Sequence, residues 1–439
     1  MRARLMLFCL TVASIATATP VGAALGPADP DGASTDPAVS ADGRFVAFVS
    51  DAENLAGPAN GLADVFLVDR LSGVITAVST VPGSGLAADG ASSSVDISSD
   101  GRYVVFHTAA TNLVAGDENG VDDVMRYDAV TGDVVLVSRR GSAGAQGDGP
   151  SSFPTVSGDG DLVAFVSQAT NLVGGDTNNK SDVFVRDVSA GSTTRASTTA
   201  TGKQAKGLSD AAVISAGGKW VQFSSSAGNL VAGDSNRVRD VFLKNLATGK
   251  VIRASVRTNG TQGNGASSVG DLSPDGTISV YSSLASNLVN GDTNNTGDVF
   301  VHDRVAKTTV RASKDGSTQG NDQSFAATIS ADGAYAAFQT WSTNLVPGPD
   351  GNGSNADVLQ YSVAAKTLVR ISIDQGGGWP DGASFAPALT DDGGVVAFAS
   401  LATDLVAGDG NGVSDVFAFE WTDAERTAWS IGRVSEVTP

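Results

Sequence analysis

A short pattern of oxygen-bearing side chains, Asp-x-Asn-x-x-x-Asp, recurs five times in this chain. The copies are Asp117, Asn119 and Asp123; Asp176, Asn178 and Asp182; Asp234, Asn236 and Asp240; Asp292, Asn294 and Asp298; and Asp409, Asn411 and Asp415. Carboxylate and amide oxygens are the ligands that calcium prefers, so we predict that some of these loops hold calcium. No bidentate glutamate closes the pattern, and one loop supplies at most three side-chain ligands. The alternative is that these side chains bond their own backbone in Asx-turns without a metal.

Two further copies of the pattern are incomplete. The first has Pro58, Asn60 and Asp64, and the sixth has Asp350, Asn352 and Asp357 with one extra residue. The final Asp is followed by Val in all seven copies, including the incomplete ones. We therefore predict that this Asp caps a strand, whether or not the loop binds a metal.

Other residues that could carry chemistry are few. The two histidines, His107 and His302, occupy different positions in the repeat and are predicted to be incidental strand residues. No G-x-S-x-G elbow, H-E-x-x-H motif or P-loop is present, so we predict no catalytic and no cofactor-binding residues. A carboxylate pair for glycosidic chemistry stays open, because sequence spacing does not give separation in space. The five tryptophans are candidates for stacking on sugar rings, with core or inter-blade packing as the alternative: Trp220, Trp341, Trp379, Trp421 and Trp429, of which Trp341 and Trp379 lie in or near loops of the sixth repeat.

These motifs belong to a unit of about 58 residues that repeats seven times. Its central aromatic residue recurs at Phe48, Phe106, Phe165, Phe223, Tyr281, Phe338 and Phe398, and the repeats start near residues 31, 89, 148, 206, 264, 321 and 381. A fixed period of this size indicates a solenoid, a propeller or another repeat array.

Each repeat contains four short runs rich in Val, Ile, Phe and Thr. In the third copy they are Phe153–Ser157, Leu162–Ser167, Val183–Asp187 and Thr193–Ser197. The first two runs are joined by Asp-Gly or a variant of it, which favours an antiparallel hairpin turn with positive φ. A β-helix is the main alternative, but its parallel strands cannot be joined by two-residue turns. The sequence therefore predicts an all-β fold, a seven-bladed β-propeller of four-stranded antiparallel blades.

The positions of the turns predict two different faces. With strands a, b, c and d alternating in direction, the long b–c and d–a loops emerge on one face, which we call the crown face. The tight a–b and c–d turns emerge on the other, the turn face. Because the repeats coincide with the chain ends, we expect blades 1 and 7 to close the ring by face contact, without exchange of a strand.

The Ser/Thr-x-Asp-Gly turn, the Val-Ala-Phe strand and the Asp-Val-Phe-Val-x-Asp strand resemble the WD-repeat-like blades of TolB-type β-propellers. This resemblance covers almost all of the chain after its first residues. It implies the propeller fold but not one activity, because such folds host many functions. TolB itself has six blades and a separate α/β domain, for which seven repeats leave no room here.

The N-terminal residues are typical of a secretory signal. Arg2 and Arg4 precede an apolar stretch, and Val21-Gly22-Ala23 fits a cleavage site, so residues 1–23 are predicted to be a signal peptide and 24–439 the propeller. The only cysteine, Cys9, lies within that signal. The net charge of −19 argues against nucleic acid as a partner.

These features together predict a monomeric protein that is secreted or resides in the periplasm or cell envelope. We expect a non-catalytic binding or scaffold module that takes a protein or polysaccharide on its acidic loop face. The alternative is an extracellular carbohydrate-active hydrolase or lyase that uses carboxylates in the central funnel. The inner strands weaken that alternative, because Asp96 and Asp271 are the only charged residues recognised on them.

Overall fold

A computed structural model describes residues 29–141, 144–348 and 350–436. Over these ranges the chain has no helix and forms seven antiparallel four-stranded sheets, each made of consecutive strands. The predicted seven-bladed β-propeller is therefore confirmed. The predicted signal peptide, 1–23, lies outside the described residues and stays a prediction.

The strands of each blade run from a, at the central channel, to d, at the periphery. Blade 1 has β1 (Ser34–Val39), β2 (Phe45–Ser50), β3 (Asp64–Asp69) and β4 (Val74–Ala77). Blade 2 has β5 (Ser92–Ile97), β6 (Tyr103–Thr108), β7 (Asp123–Asp128) and β8 (Val134–Leu136). Blade 3 has β9 (Ser151–Val156), β10 (Leu162–Ser167), β11 (Asp182–Asp187) and β12 (Ser192–Arg195). Blade 4 has β13 (Ser209–Ile214), β14 (Trp220–Ser225), β15 (Asp240–Asn245) and β16 (Val251–Arg253).

The remaining blades follow the same order, with one small ribbon inserted. Blade 5 has β17 (Ser267–Leu272), β18 (Ile278–Ser283), β19 (Asp298–Asp303) and β20 (Thr308–Arg311). The ribbon is β21 (Lys314–Asp315) and β22 (Thr318–Gln319). Blade 6 has β23 (Ser324–Ile329), β24 (Tyr335–Thr340), β25 (Asp357–Ser362) and β26 (Thr367–Arg370). Blade 7 has β27 (Ser384–Leu389), β28 (Val395–Ser400), β29 (Asp415–Trp421) and β30 (Trp429–Arg433).

The a–b turn has the conformation that its sequence predicts. In blade 1, Gly43 adopts a φ of 75°, which a side chain would strain. Asp42 Oδ1 accepts hydrogen bonds from Ser40 Oγ at 2.7 Å and from the Arg44 backbone N–H at 3.0 Å. The Ser/Thr-x-Asp-Gly signature is thus an Asx-type turn that joins strands a and b in six blades; blade 4 has Gly217-Gly218 instead.

The core lies within and between the blades. Paired aromatic residues on strands b and c stack across the sheet; in blade 1, the rings of Phe48 and Phe66 are 5.7 Å apart. Equivalent pairs occur in blades 3, 4, 5 and 7. Such cross-strand pairs stabilise a sheet beyond the apolar area they bury. In these five blades the aromatic pairs contribute to the packed core of the sheet, from which the loops extend.

The ring closes by contact between complete blades, as predicted. Val46 and Phe48 of blade 1 share a buried cluster with Val395 and Val416 of blade 7. The Ser34 backbone N–H donates to Ser414 O at 2.6 Å. All four strands of blade 1 and of blade 7 pair within their own sheets, so no strand is exchanged across the seam.

Backbone hydrogen bonds between neighbouring blades encircle the channel at the turn face. They join Ala41 to Ser99, Ser99 to Gly158, Gly158 to Ala216, Gly217 to Pro274, Ala331 to Asp391, and Asp391 to Ala41, the first residue of each pair donating its N–H. At the junction of blades 5 and 6 the corresponding residue is Pro274, which has no N–H to donate. Six junctions of seven are therefore fastened in the same way.

Strand a begins earlier than the sequence suggested and contains a β-bulge. In blade 3 it starts at Ser151 rather than at Phe153, and its register with β10 shifts between Ala164 and Val166. Its third residue is left-handed in six blades, at Asp36, Ser94, Phe153, Ala211, Ala326 and Ala386. The expectation that Asp96 and Asp271 are the only charged residues on inner strands is wrong, because the longer strands also include Asp36 and Asp210.

Candidate functional site

Hydrogen bonds between the two kinds of long loop build the crown face. In blade 2, Asn112 of the b–c loop accepts from the Asp89 backbone N–H at 3.1 Å and donates to Ala87 O at 3.0 Å. The residues that accept the first of these bonds in the seven blades are Asn54, Asn112, Asn171, Asn229, Asn287, Asn344 and Asp404. The d–a loop is thereby fixed to the b–c loop, and the crown is a rigid surface.

The five predicted calcium loops bring their Asn and second Asp together, but in an unexpected orientation. In blade 3, Asn178 Nδ2 donates to Asp182 Oδ2 at 3.1 Å, while Asn178 Oδ1 accepts from the Lys180 backbone N–H at 2.8 Å. The same amide-to-carboxylate bond occurs in the other four loops. Because the amide presents its nitrogen to the carboxylate, the amide oxygen and the carboxylate do not face a shared ion.

An arginine from strand d lies between the two carboxylates in four of the loops. Arg195 Nη1 is 3.1 Å from Asp176 Oδ1 and 3.3 Å from Asp182 Oδ2. Blades 4, 5 and 7 repeat this arrangement with Arg253, Arg311 and Arg433. All these side chains are nearly inaccessible to water, so the guanidinium is the internal counter-ion of the pair.

Calcium binding therefore stays a prediction, and in four of the five loops a buried arginine opposes it. In the arginine-containing loops, calcium would have to displace a buried guanidinium. Among the described residues, no group of three or more His, Cys, Asp or Glu side chains is arranged to hold a metal ion. The Asx-type bonds of Asn119, Asn178, Asn236 and Asn411 are the alternative that the sequence left open.

Sequence reasoning missed the arginine, although the repeat contains a signal for it. Arg occupies the position two residues before the closing Ser in blades 3 to 7. Blade 6 also has this residue, Arg370, but its guanidinium donates to Gly378 O at 2.8 Å and lies 3.7 Å from the Trp379 ring centroid. Alignment of the seven copies shows that the arginine recurs on strand d. Its Asp partners lie in the b–c loop, so the two segments have to be compared together.

The Asp that begins strand c was predicted to cap the strand, but the closing Ser accepts the strand's backbone N–H and the Asp carboxylate holds that Ser in place. In blade 1, Ser79 Oγ donates to Asp64 Oδ1 at 2.6 Å and accepts from the Val65 backbone N–H at 2.9 Å. The closing Ser bonds the equivalent Asp in all seven blades. Burial raises the pKa of Asp64, and it raises that of Asp123 to about 6.

The central channel contains a cavity of about 610 Å³. Its walls are mainly Ala, Val, Ile, Leu and Pro side chains, and the charged lining residues are Asp36, Asp96, Asp271 and Asp391. No Lys, Arg or His lines this cavity among the described residues. The channel is therefore an apolar space with an acidic lining, which does not favour an anionic ligand.

Two of these carboxylates connect neighbouring blades. Asp96 Oδ2 accepts from the Val156 backbone N–H at 2.8 Å, and Asp271 Oδ2 accepts from that of Ile329 at 3.1 Å. Desolvation raises the pKa of both, that of Asp96 to about 7. Thr155 makes the same kind of connection without a charge, since its Oγ1 accepts from the Ile214 backbone N–H at 3.0 Å.

The histidines differ in their surroundings. His302 is buried on strand c, where Nδ1 lies 2.9 Å from Thr309 Oγ1. His107 is half-buried, with Nε2 2.9 Å from Ser93 Oγ and its ring 6.0 Å from that of Phe153. Its Nδ1 has no hydrogen-bond partner among the described residues, so no acidic residue orients the imidazole as a catalytic base requires.

One exposed apolar side chain per blade lies at the crown end of the inner strands in blades 3 to 7. We call this set the apolar arc: Phe153, Leu208, Leu284, Trp341 and Leu401, with exposed fractions of 56%, 40%, 61%, 36% and 49%. Leu208, Leu284, Trp341 and Leu401 flank the crown ends of strands a and b, and Phe153 lines the channel cavity. The arc extends around the channel mouth over five successive blades.

The tryptophans fall into two groups. Trp341 packs against Phe325, with ring centroids 4.9 Å apart, and remains partly exposed on the crown face. Trp220, by contrast, is buried, and Trp421 and Trp429 pack with Phe419 in blade 7. Of the two candidates in the sixth repeat, Trp341 presents its ring to solvent, whereas Arg370 covers one face of Trp379.

Comparisons with known proteins extend only to the fold. No family model and no curated protein matches the chain. The propeller domain of the Trilobed protease from Pyrococcus furiosus, described as having an open velcro topology, is 10% identical with a TM-score of 0.55, covering 92% of this chain and 95% of that one. Oligogalacturonate lyase from Vibrio parahaemolyticus is 12% identical with a TM-score of 0.51, covering 90% and 92%.

A TolB-type protein is also among the similar structures. The protein from Agrobacterium tumefaciens described as a TolB is 14% identical with a TM-score of 0.41, covering 68% of this chain and 83% of that one. Such a match has no bearing on activity.

None of the described residues forms a helix long and apolar enough to cross a membrane. Sequence pattern and structure agree that the chain is a seven-bladed β-propeller, and its resemblance to TolB-type propellers rests on the blade motifs of the sequence.

Proposed function

We propose that this protein is a secreted or cell-envelope binding module without catalytic activity. Its crown face docks a protein or polysaccharide partner over the apolar arc around the channel mouth. The arc carries the proposal: it places exposed apolar side chains from five successive blades around one channel mouth, and clustered exposed apolar side chains are typical of binding surfaces.

The rigidity of the crown supports the same reading. The loops are fixed by repeated Asn and Asp hydrogen bonds, and the acidic pairs of blades 3, 4, 5 and 7 are neutralised internally by arginine. A preformed surface loses little conformational entropy when a partner binds. The aromatic members of the arc, Phe153 and Trp341, are residue types that supply binding energy at the centres of interfaces and on sugar rings.

Charged substitutions in the arc test the proposal. Leu284→Asp and Leu401→Asp, singly and together, should abolish the retention of cell-wall polysaccharide or envelope protein by the immobilised propeller. Leu71→Asp is the matched control, because Leu71 is 81% exposed on the turn face. Equal retention by the arc variants and the wild type would contradict docking on the crown.

One observation favours a second function, a carbohydrate-active lyase or hydrolase. Asp36, Asp96 and Asp271 line one cavity, and burial raises the pKa of all three carboxyls, as an acid catalyst requires. The test is product release from neutral and acidic polysaccharides by the wild type and by Asp36→Asn. Activity that this substitution removes would establish the enzyme and overturn the non-catalytic proposal.

A further inference from the structure

The acidic pair and an arginine between its carboxylates occur together in four blades; blade 6 has a pair, Asp350 and Asp357, and an arginine, Arg370, that lies against Trp379 instead. Blades 3, 4, 5 and 7 have both Asp residues and the arginine between them. Blade 1 has lost both parts, with Pro58 in place of the first Asp and Ala77 in place of the arginine. Blade 2 keeps Asp117 and Asp123 but has Leu136 at the arginine position, opposite Met125 on strand c. It is the one blade with a complete acidic pair and no arginine.

The blade 2 pair is buried and lacks a counter-ion. Asp117 is 8% exposed and Asp123 is fully buried. Their side-chain partners are neutral: Gln146 Nε2 donates to Asp117 Oδ1 at 3.1 Å, and Asn119 Nδ2 donates to Asp123 Oδ2 at 2.6 Å. Neither carboxylate forms an ion pair with any described residue. Buried carboxylates without a cation are costly, and blades 3, 4, 5 and 7 avoid this cost with arginine.

A cavity of about 500 Å³ lies beside Asp117: Gly116, which precedes Asp117, and Gln146, which donates to it, line the cavity together with Leu136. The counterparts of Gly116 and Gln146 contact the guanidinium in other blades. In blade 3, Arg195 Nη2 donates to Gly175 O at 3.2 Å, and in blade 4, Arg253 Nη1 donates to Gln262 Oε1 at 2.5 Å. Blade 2 thus has open space bordered by the groups that hold the arginine head group elsewhere.

We propose that blade 2 binds the guanidinium group of an arginine supplied from outside this chain, placed between Asp117 and Asp123 as Arg195 is placed in blade 3. A planar guanidinium carries five N–H donors and suits two carboxylates and a backbone carbonyl better than a lysine ammonium does. The four arginine-containing blades are internal examples of the complex. This inference does not depend on the apolar arc or on the crown face docking a partner.

Two cationic residues also line the cavity. Arg139 Nη2 donates to Gly144 O at 3.0 Å, and Arg186 Nη1 donates to Gly141 O at 2.9 Å and to Thr193 Oγ1 at 3.1 Å. Neither forms an ion pair with a carboxylate among the described residues. Free arginine could place its carboxylate near them, whereas an arginine inside a partner protein would bring only its side chain. Both sources share the guanidinium, and two ligands distinguish them.

Titration calorimetry with N-acetyl-argininamide and with L-arginine tests the site. Binding of the amide indicates an arginine within a protein partner, and binding of L-arginine alone indicates the free amino acid; either result supports the proposal. Leu136→Arg supplies the guanidinium internally and should weaken binding at least tenfold while raising the melting temperature. Asp117→Asn should also weaken binding at least tenfold, and it covers the case in which Leu136→Arg does not fold.

The controls separate a guanidinium site from general attraction to an acidic protein. N-acetyl-lysinamide at equal ionic strength should bind at least tenfold more weakly than the arginine amide. Equal binding of the two amides, or equal affinity of the wild type and both variants, would overturn the proposal. It would also be overturned if calcium bound to the wild type but not to Asp117→Asn, while neither arginine compound bound to the wild type.

Discussion

Replacing Asp96 by threonine should stabilise the propeller at neutral and alkaline pH. Threonine is the residue that makes the same inter-blade connection in the next blade, where Thr155 Oγ1 accepts from the Ile214 backbone N–H at 3.0 Å. The substitution keeps an oxygen acceptor for the Val156 N–H and removes a carboxyl that the channel wall desolvates.

The magnitude follows from the pKa of Asp96. Burial raises it to about 7, whereas an unfolded chain holds an aspartate near 4. The folded state therefore retains a proton that the unfolded state has lost, and the stability from this group is present below pH 4 and lost as pH rises to 7. At about 1.4 kcal/mol per pKa unit, the whole loss is about 4 kcal/mol, and less where channel water screens the charge.

Urea denaturation at pH 5 and pH 8 measures the effect. The gain in unfolding free energy of Asp96→Thr over the wild type should be larger at pH 8 than at pH 5 by about 2–3 kcal/mol. Thr155→Val is the control; it removes an acceptor that does not titrate, so its cost should be the same at both pH values. A gain for Asp96→Thr that does not change with pH would refute the assignment of a raised pKa to Asp96.

Four other predictions follow from single residues. Asp64→Ala should lower the unfolding free energy by about 1–3 kcal/mol in calcium and in chelator alike, because Asp64 binds Ser79 rather than a metal; a loss seen only with calcium would contradict this. Asp176→Ala should likewise lower the melting temperature independently of calcium, because it leaves Arg195 with one carboxylate fewer; a calcium-dependent loss would favour the metal hypothesis for this loop. Phe153→Gly should leave stability unchanged or raise it by about 1 kcal/mol, because it relieves a φ of 50°, yet it should weaken partner binding; unchanged binding would remove Phe153 from the interface. Mass spectrometry of the native protein should find an N-terminus close to Ala24, and recovery of intact Met1 would exclude cleavage.

The blade architecture could be predicted from the sequence because its signals are local. The Asp42-Gly43 turn, the alternating strands and the position of Asp64 each depend on a few adjacent residues, and sevenfold repetition separates them from chance. Ring closure without strand exchange could be expected because each repeat contains all four strands of its own blade.

Features that depend on contacts between distant strands could not be predicted in the same way. The ion pair of Arg195 with Asp176 joins strand d to the b–c loop, and nothing in either segment alone indicates its partner. The early start of strand a could not be recognised from the sequence, because the left-handed residue at Phe153 interrupts the alternation of side chains. The role of Asp96 depends on the neighbouring blade, whose Val156 N–H lies 60 residues away in sequence.

Site-specific photo-crosslinking tests the central claim, that the crown face binds a partner, most directly. A benzophenone amino acid would replace Trp341 in the apolar arc or, as a control, Val305, which is 66% exposed on a c–d turn of the opposite face. Irradiation of cells that export the protein should yield a discrete higher-mass adduct from position 341 and none from position 305. The absence of an adduct at 341, or equal adducts at both positions, would contradict the assignment of the crown as the binding face.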